Sequence, residues 1–216
     1  MAVQIKIENY TKTIGRAQIL DNVNMELEGG KIYGFKGKNG SGKTMLMRAI
    51  CGLILPTFGR VLIDGEEIGK DRSFPKSVGA LLENPAFLNG YTGFKNLKMI
   101  ADIKGIIGDE EIKEILTRVG LDPEDKRTYK KYSLGMKQKL GIAAAVMEKS
   151  DIIILDEPIN ALDEESALIV RDILRELRDN GSLIILACHD TEELEFLSDK
   201  IYVLNDGKVM GSIKRG

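Results

Sequence analysis

The chain has 216 residues, of which 43% are hydrophobic and 30% are charged, and its formal net charge is −2. This composition excludes a disordered chain and lacks the basic excess that nucleic-acid binding needs, so we expect no nucleic-acid partner. No apolar run approaches the roughly 20 residues that cross a bilayer, and the alternating N-terminus predicts a strand and not a signal peptide. We expect a cytoplasmic protein that stays in water when alone.

The order of predicted elements indicates an α/β fold. Alternation of apolar and polar residues predicts strands over 1–36, with turns near 13–17 and 28–30. The run 152–155 is almost purely apolar, which is typical of a strand covered on both faces of a parallel sheet. Strands alternate with helices elsewhere, whereas residues 85–147 are mainly helical. The pattern therefore predicts a sheet core with a helical lobe inserted at about 85–147.

Residues 37–44 form the most informative stretch, which we call the phosphate loop. Its sequence GKNGSGKT fits the pattern GxxxxGK[ST] without a mismatch and lies between a predicted strand and a predicted helix. Backbone N–H groups at a helix N-terminus bind phosphates, and glycines let the backbone curl close to them. We expect the Lys43 ammonium to reach the outer phosphates of ATP and the Thr44 hydroxyl to bind Mg²⁺. The predicted nucleotide-binding residues of this loop are Gly37, Asn39, Gly40, Ser41, Gly42, Lys43 and Thr44.

Two adjacent carboxylates, Asp156 and Glu157, end the apolar strand. Ligands of α/β sheets bind at the carboxyl ends of the strands, and neighbouring side chains of a strand point in opposite directions. Asp156 is therefore suited to the Mg²⁺ shell, while Glu157 can face an attacking water as a general base. The alternative is a helix cap or a solvated acidic turn.

With these motifs, the chain resembles the ATP-binding cassette (ABC) nucleotide-binding subunits of membrane transporters, essentially from end to end. The family signature LSGGQ corresponds here to residues 132–136, YSLGM, with Leu134 in place of Gly and Met136 in place of Gln, and Lys137 and Gln138 follow it. This form looks like one found in simple bacterial exporters of the antibiotic-resistance type. The resemblance implies one nucleotide-binding domain over 1–216. Its fold would be a P-loop NTPase core with a mainly parallel sheet, an N-terminal antiparallel β subdomain and an inserted helical lobe.

The resemblance also implies roles for residues outside the two ATP motifs. Ser133 and Gly135 would contact the γ-phosphate held by a second copy of the chain, although Ser133 could be only a helix N-cap. Tyr10 would stack on adenine or, alternatively, pack within its strand. Asp163 would cross the dimer interface and could also cap the next helix. Glu83 stands where the family usually has Gln and would contact Mg²⁺ or water.

The implied activity is ATP hydrolysis with Lys43, Glu157 and His189 as the catalytic residues, where His189 senses the γ-phosphate. The implied partners are a second copy, which dimerises when ATP binds, and a separate permease at the inner face of the membrane. The segment 85–97 would dock that permease, or its apolar residues would be lobe core. Two other functions stay open: a DNA-maintenance or ribosome-associated ATPase, and an ATP-gated regulatory module with little hydrolysis.

Overall fold

A computed structural model describes residues 2–83, 85–188 and 191–214. The elements run in chain order as follows: β1 (Gln4–Ile14), β2 (Ala17–Glu28), β3 (Lys31–Lys36), α1 (Lys43–Ile50), β4 (Phe58–Ile63), β5 (Glu66–Glu67), β6 (Val78–Leu81), α2 (Gly93–Lys104), α3 (Asp109–Arg118), a 3₁₀ turn (Tyr129–Lys131), α4 (Leu134–Val146), β7 (Ile152–Asp156), α5 (Glu164–Asp179), β8 (Leu183–Ala187), α6 (Thr191–Leu197), β9 (Lys200–Asn205) and β10 (Lys208–Lys214).

Two sheets organise these elements. The first has the order β2-β1-β4-β5 and is antiparallel throughout. The second has the order β10-β9-β3-β8-β7-β6, and all its pairs are parallel except β10 with β9. The predicted mainly parallel core and N-terminal antiparallel sheet are therefore both present.

The parallel sheet is covered on both faces, as the apolar run of β7 predicts. Ile152 and Ile154 pack in a core shared with α1 and the antiparallel sheet. Ile153 and Leu155 face the opposite core, which includes residues from the helical lobe and from α5. Because side chains alternate along a strand, β7 is sealed between two apolar layers and holds its carboxyl end in a fixed position.

Helix α4 packs very closely on the edge strand β6. A Cβ placed at Gly79 would lie 1.8 Å from the backbone oxygen of Ala145, so the strand approaches the helix to a distance that only glycine permits. The lobe is thereby joined directly to the sheet. The contact lies near the C-terminal end of α4, and at the other end Ser133 is the N-cap, where its Oγ accepts a hydrogen bond from the Met136 N–H at 3.2 Å.

The apolar residues of segment 85–97 divide between the two predicted roles. Phe87 and Phe94 are partly buried against the lobe core, and the Phe87 ring packs edge-on against Tyr129. Leu88 and Tyr91 are 48% and 44% exposed. The lobe core therefore takes the two phenylalanines, whereas Leu88 and Tyr91 remain available to a docking partner.

Candidate nucleotide-binding site

The phosphate loop connects β3 to α1 at the carboxyl end of the parallel sheet. Gly42 is the N-cap of α1 with φ 103°, and as a glycine it offers no side chain to cap the helix. The first N–H groups of α1 are therefore left for another acceptor, and the helix dipole favours an anion at this end. At Gly37 a Cβ would lie 2.4 Å from the Leu204 carbonyl oxygen, so a side chain would push the loop out of place.

The Lys43 side chain bends back over the loop that precedes it. Its ammonium donates hydrogen bonds to the carbonyl oxygens of Gly37 at 2.7 Å and Lys38 at 3.1 Å, and the residue is only 6% exposed. An ammonium has three donors, so these two bonds leave one for a phosphate oxygen. Ser41 Oγ is also buried and, within the described part of the chain, has no hydrogen-bond partner.

Asp156 and Thr44 meet at the base of the loop. The Thr44 hydroxyl donates to Asp156 Oδ2 at 2.5 Å, and the Asp156 residue is 6% exposed. A buried carboxylate needs such a donor, because desolvation penalises its charge. The pair places two hard oxygen donors beside the phosphate loop, the ligand type that Mg²⁺ prefers.

Glu157 follows directly, at the point where the strand ends. Its φ is 52°, which ends the strand, and its N–H still donates to the Ala187 carbonyl oxygen of β8 at 2.9 Å. The carboxylate accepts a hydrogen bond from Asn160 Nδ2 at 3.0 Å. Asp156 Oδ2 accepts from Thr44 whereas Glu157 Oε2 accepts from Asn160, so the two acidic groups have different hydrogen-bond partners.

Glu83 pairs with a cation in this structure. Arg48, in the last turn of α1, donates to Glu83 Oε1 at 2.8 Å, and the two side chains are 36% and 60% exposed. The pair neutralises the negative charge that Glu83 adds to the site. Ligation of Mg²⁺ by Glu83 stays a prediction, and in this structure Oε1 of that carboxylate is bonded to Arg48.

A cavity of about 540 Å³ brings most of these groups together. Its lining includes eight of the predicted residues, namely Asn39, Gly40, Gly42, Lys43, Thr44, Glu83, Asp156 and Glu157. Five further lining residues were not predicted from the sequence, namely Ile19, Met45, Arg48, Gln138 and Asn160. Gln138 is the last residue of the YSLGMKQ segment, and the other four lie outside the phosphate loop, that segment and the carboxylate pair.

The expectation that the Tyr10 ring stacks on adenine is wrong. The residue is 0% exposed, and its hydroxyl donates to the Ile54 carbonyl oxygen at 3.1 Å. Burial also raises the pKa of its phenol to about 12. A ring without an exposed face cannot stack on a base, so the alternative of a strand-packing tyrosine is the correct one. Ile19, on the next strand, supplies apolar surface to the cavity instead.

The remaining predicted residues lie elsewhere. Ser133 and Gly135 are absent from the cavity lining within the described residues, and the neighbouring Leu134 is 67% exposed. Asp163 caps α5, where it accepts from the Ser166 N–H at 2.8 Å. Hydrogen bonds from the Ser166 side chain and backbone lower the pKa of Asp163. His189 lies outside the described residues.

Comparisons with known proteins agree with this geometry. A family model described as ABC transporter matches residues 20–160. The uncharacterized ABC transporter ATP-binding protein YybJ of Bacillus subtilis (strain 168) is 46% identical over 97% of this chain and 96% of its own length. The bacitracin transport ATP-binding protein BcrA of Enterococcus faecalis is 36% identical over 99% of this chain and 70% of its own.

A solved structure extends the similarity to three dimensions. A dimeric ATP-binding cassette in a post-hydrolysis state, bound to ADP and Pi, matches with a TM-score of 0.89 at 25% identity, covering 98% of this chain and 99% of that chain. The fold and the site thus define a nucleotide-binding ATPase. The chain belongs to the ABC transporter family, of which it is an ATP-binding and ATP-hydrolysing subunit.

Tyr10 is buried in the core whereas Ile19 lines the cavity, and this difference gives a first prediction. Tyr10→Leu is expected to lower the free energy of unfolding by about 3 kcal/mol through a core cavity, with ATP affinity unchanged. Ile19→Ser is expected to weaken ATP binding several-fold with a smaller effect on folding, since its side chain is only partly buried. Urea unfolding and calorimetric ATP titration measure both quantities. Weaker ATP binding by folded Tyr10→Leu, with Ile19→Ser unaffected, would restore the original assignment.

Proposed function

We propose that the chain works as an ATP-dependent homodimer that drives a separate membrane permease, as an exporter. The observation that carries this proposal is the division of the phosphate-binding groups. One chain offers the phosphate loop, Lys43 and the Thr44–Asp156 pair in one cavity, while Ser133 and Gly135 lie outside that cavity's lining. The free end of α4 is a second anion-binding element, and a second copy can bring it to the γ-phosphate.

Mg²⁺ is the metal that the oxygen donors of this site fit. Thr44 and Asp156 would hold it, and the bound ion would neutralise charge on the phosphates during transfer to water. Among the described residues there is no cluster of three or more His, Cys, Asp or Glu that could hold a metal by itself. The protein donors are therefore few, as expected where phosphate and water complete the shell.

The chain's own residues perform the other tasks of phosphoryl transfer. Lys43 places a positive charge over the outer phosphates, and the amides of the phosphate loop bind their oxygens. Glu157 orients the attacking water or accepts its proton, with its carboxylate fixed by Asn160. His189, following β8, is proposed to sense the γ-phosphate. Asp163, already a helix cap, is proposed to lie at the dimer interface.

ATP changes the dimer equilibrium through differential contacts. With a γ-phosphate present, each site gains hydrogen bonds only in the closed dimer, where Ser133 and Gly135 of the other copy reach it. After hydrolysis those contacts weaken, and the open state is favoured. The exposed Leu134, at the start of α4, would be covered when the two copies meet.

Membrane transport requires a second polypeptide in this proposal. Within residues 2–83, 85–188 and 191–214 no helix has the length and apolar character that a membrane span requires. The chain would act at the cytoplasmic face of the membrane, with Leu88 and Tyr91 among its docking residues. Similarity to a bacitracin transport protein and the YSLGMKQ form both favour export of an antibiotic-like substrate.

Replacing the general base tests the catalytic and the dimer proposals together. Glu157→Gln is expected to bind ATP, to hydrolyse it on the order of 10²- to 10⁴-fold more slowly, and to accumulate as a dimer. Sedimentation with saturating ATP measures the dimer, and phosphate release measures hydrolysis. Glu165→Gln, in the exposed first turn of α5, is the matched control and should behave like the parent. Near-normal turnover of Glu157→Gln would remove Glu157 from its role.

The Arg48–Glu83 pair generates another prediction. Glu83→Gln is expected to keep ATPase activity and to change the free energy of unfolding by less than about 1 kcal/mol, because exposed ion pairs contribute little. Arg48→Gln leaves the Glu83 carboxylate unneutralised and should raise the KM for ATP. The double variant, which removes both charges, should restore that KM. Complete loss of hydrolysis in Glu83→Gln with ATP binding intact would show that the carboxylate has a specific task.

A further inference from the structure

Gln138 connects the signature helix to the backbone that carries Glu157. Its Nε2 donates hydrogen bonds to the carbonyl oxygens of Glu157 and Pro158, both at 3.0 Å, and the residue is 8% exposed. Gln138 lies on α4, five residues after the N-cap Ser133. One buried amide therefore connects the start of α4, proposed to contact the partner's γ-phosphate, with the backbone of Glu157, proposed to act on the attacking water.

The segment that receives these hydrogen bonds, residues 157–163, has an unusual backbone. Glu157 and Ala161 have φ of 52° and 68°, in the left-handed region that residues with a side chain rarely adopt. Such conformations persist where the surroundings hold them. Hydrogen bonds within the segment include Leu162 N–H to the Ile159 carbonyl oxygen at 3.1 Å, and Gln138 adds two from outside it. Contacts from α4 therefore contribute to its shape.

Helix α4 contacts the segment at a second point. A Cβ at Gly135 would lie 3.0 Å from the Ala161 carbonyl oxygen, so the backbone of the helix start approaches that carbonyl closely. Gly135 and Gln138 are three residues apart and thus lie on one face of α4. That face of α4 contacts the segment at two places, at Glu157–Pro158 and at Ala161. Movement of α4 must then move the segment, or break both contacts.

We propose that Gln138 is a positioning residue that makes the placement of Glu157 depend on the position of α4. The inference rests on the proposed dimer, in which Ser133 and Gly135 contact the ATP held by the other copy. Glu157 serves the ATP on its own phosphate loop. Gln138 therefore couples the two sites: binding of the partner's γ-phosphate at the start of α4 sets the catalytic carboxylate of the same chain.

The test removes both donors while keeping a similar side-chain volume. Gln138→Leu is expected to bind ATP with an affinity within about twofold of the parent. Its kcat should fall about 10- to 100-fold, because a small displacement of a catalytic group has that effect. The Hill coefficient for ATP hydrolysis should fall from above 1 in the parent to 1. Gln138→Met, which is more adaptable in packing, serves in the same assays if the leucine variant does not fold.

Asn96→Leu is the matched control for loss of a buried amide. Asn96 is 3% exposed in the same lobe, and its Nδ2 donates to backbone carbonyl oxygens including that of Thr92 at 3.0 Å. This variant should lose stability on urea unfolding yet keep the kcat of the folded protein and its Hill coefficient. An equal loss of kcat in Asn96→Leu, or an unchanged kcat and Hill coefficient in folded Gln138→Leu or Gln138→Met, overturns the inference.

The parent chain distinguishes failure of the proposed function from failure of the coupling through Gln138. A parent chain that neither dimerises with ATP nor hydrolyses it contradicts the proposed function itself. A parent that does both, but with a Hill coefficient of 1, contradicts only the coupling through Gln138.

Discussion

The site depends on positive charge that is concentrated at the carboxyl end of the parallel sheet and that a bound anion would balance. Helix α1 begins there without a side-chain cap, and the Lys43 ammonium is held over the loop by backbone carbonyl oxygens. Uncapped N–H groups, a buried cation and the helix dipole all favour an anion at the same point. The two apolar cores keep β3 and β7 fixed, so the groups that meet a phosphate are in place before it binds.

Short-range features of the site could be predicted from the sequence because the chemistry is contiguous there. The phosphate loop needs particular residues at fixed spacing, and the carboxylates Asp156 and Glu157 end a strand whose apolar run is unmistakable. Asp163 as a helix cap is likewise a local feature. The mainly parallel sheet follows from alternation of strands with helices. These predictions require no knowledge of which distant segments meet.

The errors and omissions arise where distant segments meet or alternation breaks. Strict alternation in β1 would bury Asn9 with Ile5 and Ile7, and would expose Tyr10. A register shift near Asn9, whose φ is 49°, reverses the faces and buries Tyr10 instead. The Arg48–Glu83 and Gln138–Glu157 contacts join residues 35 and 19 positions apart. Only folding brings these groups together, so no motif indicated them.

The core and the helical lobe of one chain have separate tasks, and α4 connects them. The core holds ATP, and α4 of the lobe offers its N-terminus away from that cavity while contacting the backbone after β7. The close approach of β6 to α4 at Gly79 ensures that lobe and core do not separate at this point. The proposed action on a permease needs such a link, because a change at the phosphates has to reach a surface far from them.

The most direct measurement is a mixed crosslink between two differently labelled copies in a background with Cys51 and Cys188 replaced by Ala. One copy carries Ser133→Cys and the other Asn39→Cys, both with Glu157→Gln, and a short bis-maleimide joins thiols that come close. We expect the heterologous crosslink with ATP and not without nucleotide. A yield that ATP does not change would contradict the claim that each γ-phosphate is bound between two copies of this chain.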